Sequence, residues 1–141
     1  MSLAILFDVS GSMDVADRAT AAKFAAFHLL NALDEGRDEA GLFAFDSRLR
    51  EVAPFTVDTR ALQGALGEVD PFGATSLHDA IAETAKRIQA RANSRRAIVV
   101  SHWIINAGFN ATFGAQGQAI YDGLKGNTNL FLMLSGHVSP P

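Results

Sequence analysis

Apolar positions in this chain fall into short unbroken runs, separated by stretches where they recur every third or fourth residue. Leu3-Ala4-Ile5-Leu6-Phe7 is too short for a helix and stops at Asp8, which reads as a strand buried on both faces. Gly41-Leu42-Phe43-Ala44-Phe45, Ala97-Ile98-Val99-Val100 and Leu130-Phe131-Leu132-Met133-Leu134 read the same way. Between the first two runs, Ala19, Ala22, Ala26, Leu30 and Leu33 keep helical spacing, predicting a helix from about Asp14 to Leu33 with Gly36 as its stop. Asp46-Ser47-Arg48 turns the chain into Leu49 to Phe55, whose mixed polarity and Pro54 suit an edge strand. Thr59 is expected to cap a short helix carrying Leu62, Ala65 and Leu66, weakened by Gly64 and Gly67. After the turn Asp70-Pro71-Phe72-Gly73, Ser76 is the expected cap of a firmer helix with Leu77, Ala80, Ile81, Thr84, Ala85 and Ile88 on one stripe. His102 to Gly114 is irregular, and Gln116 to Lys125 is a short helix.

Buried strands alternating with amphipathic helices define an α/β, three-layer Rossmann-like sheet of about five strands with helices on both faces. Right-handed crossovers favour the order 3-2-1-4-5 with strand 3 antiparallel at an edge. A length of 141 residues without repeats or linkers implies a single domain over 1–141. An apolar share of 48% against 19% charged residues excludes disorder. The absence of cysteine removes disulfides, thiolate zinc sites and a thiol nucleophile together. A net charge of −3 argues against nucleic acid as a partner. No apolar run reaches the roughly 20 residues that span a bilayer. The opening residues lack a basic segment before the apolar run, so no secretory signal is expected and the chain reads as cytoplasmic.

In such a sheet the ligand crevice lies beyond the C-terminal strand ends where the order reverses, between strands 1 and 4. Asp8, Ser10 and Ser12 alternate there, with Gly11 permitting the bend, and Thr75 arrives from the loop before the third helix. One carboxylate with neutral hydroxyls is a hard-oxygen set suited to Mg²⁺, Mn²⁺ or Ca²⁺. Ser10 or Ser12 as a nucleophile would need a positioned base, and His102 is the one near candidate. No dinucleotide or P-loop glycine pattern is present. Arg91, Arg95 and Arg96 read as a solvated basic connector, and His28 and His78 as surface or packing residues.

Asp8-Val9-Ser10-Gly11-Ser12-Met13 resembles the Asp-x-Ser-x-Ser element of von Willebrand factor A domains, and Gly73-Ala74-Thr75-Ser76-Leu77 resembles their Gly-x-Thr loop. The resemblance covers about residues 3–100. It implies a metal-ion-dependent adhesion site in which Asp8, Ser10, Ser12 and Thr75 hold a divalent cation. An acidic side chain of a protein partner completes the coordination. That is a binding module, not an enzyme. The family usually ends strand 4 with Thr-Asp-Gly, whereas Trp103 stands about where that Asp would lie, so the resemblance implies weak Mg²⁺ affinity.

From about residue 97 to 138 the chain resembles a C-terminal stretch of calcineurin-like metallophosphoesterases. His102 and His137 match two of their metal-binding histidines, and Ser139 replaces a third. The Gly-Asp and Gly-Asn-His elements of that family are absent. This change of resemblance reads as a chimera joined within strand 4. It leaves two further readings: a recombined scaffold without activity, and a hydrolase remnant in which Asp8, His102 and His137 surround Zn²⁺ or Mn²⁺. The apolar strand 5 edge predicts a homo-oligomer through that side.

Overall fold

The computed structural model of the protein describes residues 1–11, 13, 18–69 and 76–101. The described elements run β1 (Ser2–Asp8), α1 (Arg18–Asn31), β2 (Glu39–Phe45), β3 (Leu49–Thr56), α2 (Thr59–Ala65), a 3₁₀ turn (Leu66–Glu68), α3 (Leu77–Gln89) and β4 (Arg96–Ser101). They form a four-stranded sheet of order β3-β2-β1-β4. β1 pairs in parallel with β2 (Ser2 opposite Glu39 through Asp8 opposite Phe45) and with β4 (Ser2 opposite Arg96 through Phe7 opposite Ser101). β3 is antiparallel to β2 and closes one side. This is the α/β Rossmann-like order expected over its first four strands. The fifth strand and the oligomer edge assigned to it lie outside the described residues.

β1 is apolar on both faces because both are covered. Leu3, Ile5, Phe7 and Val9 point to one side, where Ala26 and Leu30 of α1 and Leu62 of α2 pack with Leu42 and Ala44 of β2. Ala4 and Leu6 point to the other, where Leu77, Ala80, Ile81, Ala85 and Ile88 of α3 pack with Phe43, Phe45, Ile98 and Val100. The alternation of one strand thus decides which helix meets which face. Each fully buried leucine or phenylalanine contributes roughly 1.5–3 kcal/mol.

β2 carries a local irregularity. Its register against β3 slips between Ala40 and Leu42 and again between Leu42 and Phe43. Gly41 sits at the slip, and a Cβ there would lie 3.1–3.2 Å from the rings of Phe43 and Phe55. The missing side chain lets the Phe55 ring of β3 pack on Phe43, with centroids 5.7 Å apart.

Several local expectations are corrected. The described helix α1 ends at Asn31, short of Gly36. Gly36, at φ 75°, belongs instead to a separate turn in which the Asp34 carbonyl accepts from Arg37 N (3.1 Å) and Asp38 N (2.9 Å). The cap of α2 is Asp58, not Thr59: its Oδ1 accepts from Arg60 N and Ala61 N, each at 3.1 Å. Ser76 occupies the cap position of α3 but makes no side-chain capping bond. Arg91 is no solvated connector residue. Its guanidinium donates to both carboxylate oxygens of Glu39, at 3.0 and 2.6 Å, and lies 5.0 Å from the Phe55 ring centroid. Ser2 Oγ adds a third hydrogen bond to Glu39 at 2.6 Å. The guanidinium and the other donors hold the Glu39 carboxyl below its usual range. This network ties β2 to the α3–β4 connection at the end of the sheet opposite the candidate site. His28 and His78 are exposed, as expected.

Candidate functional site

The parallel register aligns the C-terminal ends of β1, β2 and β4, and the chain's path reverses between β1 and β4. β1 continues its ladder into that rim: Val9 N donates to the Phe45 carbonyl at 2.9 Å, and Asp8 N donates to Ser101 Oγ at 3.3 Å. The loop after β1 is bent by Asp8 itself, whose Oδ1 accepts from Ser10 N at 2.8 Å. An Asx-type turn of this kind aims carboxylate and following residues at one point. Met13 N then donates to the Ser10 carbonyl at 2.9 Å, and Met13 is buried, which anchors the loop. Asp8 and Ser10 are each only 3% exposed.

The β2–β3 turn brings a second strand end to the rim. Asp46 Oδ1 accepts from Arg48 N at 2.8 Å and from Ser47 Oγ at 3.1 Å. The Arg48 backbone donor, with further support from Ser47, holds the Asp46 carboxyl below its usual range. The Asp46 carbonyl accepts from Ser76 N at 2.7 Å. One backbone bond therefore fixes the entry of α3 to the β2 side of the same rim. A cavity of about 10 Å³ lies behind the rim toward α1, lined by Phe7, Asp8, Val9, Ala22, Lys23 and Val69.

Of the residues selected from the sequence, Asp8 and Ser10 are brought together at the switch point. Ser12, Thr75, His102 and His137 lie outside the described residues, as do Trp103 and the metallophosphoesterase-like segment beyond β4. Sequence reasoning missed the part played by Asp46, whose signal was its position directly after the apolar run of β2. It also assigned no bond to Ser101. Among the described residues no group of three or more His, Asp or Glu side chains could hold a metal. A buried carboxylate bent onto a serine is nonetheless a hard-oxygen start. Its chemistry fits Mg²⁺ or Mn²⁺ if further hydroxyls join it, and does not fit a soft metal.

A family model described as von Willebrand factor type A domain matches residues 3–101. Among solved structures, the chain is similar to a von Willebrand factor type A protein from Catenulispora acidiphila, with 20% identity and TM-score 0.70, over 92% of this chain and 31% of that one. It is similar to the conserved hypothetical protein BatB from Bacteroides thetaiotaomicron, with 25% identity and TM-score 0.63, over 72% of this chain and 52% of that one. It is also similar to the PilB minor pilin from Streptococcus sanguinis, with 18% identity and TM-score 0.66, over 74% of this chain and 30% of that one. The match thus spans less than two thirds of the length of each. A search of curated proteins found no match.

Proposed function

The chain belongs to the von Willebrand factor type A domain family, and from that premise we propose that it is a protein-binding module, not an enzyme, whose partner docks on the C-terminal rim of the sheet. The observation that carries this reading is the buried Asp8 carboxylate, turned onto Ser10 at the point where the strand order reverses. The similarity to a minor pilin, a protein named for its place in an assembly, agrees with a role in protein contacts.

In the finer form of this proposal, Asp8, Ser10, Ser12 and Thr75 hold a weakly bound Mg²⁺ or Mn²⁺. A cation at that point supplies strong local positive charge with an open position for an acidic side chain of the partner. Asp8 contributes the formal negative charge of the set, and its bond from Ser10 N fixes the carboxylate's direction. The hydrogen bonds from Val9 N to the Phe45 carbonyl and from Ser76 N to the Asp46 carbonyl tie the end of β1 and the entry of α3 to the same rim.

A thermal-shift titration with Mg²⁺ and Mn²⁺ tests the cation. At a concentration about ten times Kd, binding to the folded state alone adds about 1.4 kcal/mol. For a domain of this size that raises the melting temperature by roughly 3–6 °C. The rise is expected in the wild type and absent in Asp8→Ala. No rise in the wild type with either metal would overturn the cation, and the binding reading would then rest on the bare rim.

A further inference from the structure

We draw no further inference here: the strongest candidate, the aromatic patch on the outer face of α1 where Phe24 (66% exposed) and Phe27 (41% exposed) meet the His28 ring at centroid distances of 4.4 and 6.1 Å, is an apolar helix face for which nothing among the described residues shows what covers it.

Discussion

Replacing Gly41 by alanine sets two effects of opposite sign against each other at one atom. A glycine-to-alanine change restricts the unfolded chain and stabilises by about 0.4–1 kcal/mol where the native backbone accepts a side chain. Gly41 has no left-handed backbone that would penalise alanine, so this gain is available in principle. The new Cβ, however, would lie 3.1 Å from Phe43 Cε2 and 3.2 Å from both Phe55 Cδ2 and Cγ. Phe43 is fully buried, held between β2 and α3, and cannot retreat. Phe55 is half-buried and stacked under the Arg91 guanidinium, so its movement also loosens the Glu39–Arg91 pair. Overpacking of this kind costs about 1–3 kcal/mol. The net expectation is a destabilisation of about 0.5–2 kcal/mol, or a melting temperature lower by roughly 2–6 °C. Equilibrium urea unfolding followed by far-UV circular dichroism measures it, with unchanged m-value as the check that the same transition is compared. Gly64→Ala is the control: it lies exposed in α2 with nothing within 4 Å of its Cβ position, and should stabilise by about 0.5–1 kcal/mol. Shortening the ring by Phe55→Leu in the Gly41→Ala background should recover part of the loss, because the two sites share one contact. A Gly41→Ala chain as stable as wild type would refute the claim that ring packing, not chance, keeps a glycine at this register slip.

Three further outcomes follow from the structure. Asp58→Ala removes the acceptor for two α2 amide hydrogens and should lower stability by about 1 kcal/mol in urea, with Asp58→Asn close to wild type. Because the Glu39 carboxyl is held below its usual range, chiefly by the Arg91 guanidinium, its contribution is present above the ordinary glutamate pKa and is lost as pH falls through the lowered one; urea midpoints should therefore drop more steeply between about pH 5 and pH 3 in wild type than in Glu39→Gln. In the absence of metal, Asp8→Ala leaves the buried Ser10 amide without its carboxylate acceptor and should cost about 1–3 kcal/mol, whereas Asp8→Asn keeps an oxygen there and should cost less; equal losses in thermal unfolding would contradict the bond's assigned role.

The candidate site was legible where chemistry followed from strand position. Asp8 closes an apolar run, so it must lie at a strand end, and the alternation Asp8, Ser10 puts oxygen-bearing side chains in the turn. The chain could not reveal that Asp8 bends the turn by accepting from Ser10 N, since the same residue types also serve as helix caps. Asp46 shows the converse. Its carbonyl fixes Ser76, thirty residues on, through a backbone group that every residue type carries, so no sequence pattern marks it. Arg91 in a polar connector looked solvated because its partner, Glu39, is remote along the chain and meets it only when β2 and the end of α3 are brought together.

Local patterning by itself determined the α/β class, the positions of the four described strands and the stripe of α3, because burial on one or both faces imposes a period that short segments express on their own. Tertiary structure alone decided the register slip that leaves room for two phenylalanine rings at Gly41, the ion pair between Glu39 and Arg91, and the cavity shared by Asp8 and Lys23. Each of these depends on the distance between groups far apart in the chain, a quantity that exists only after the sheet has paired and the helices have packed on it.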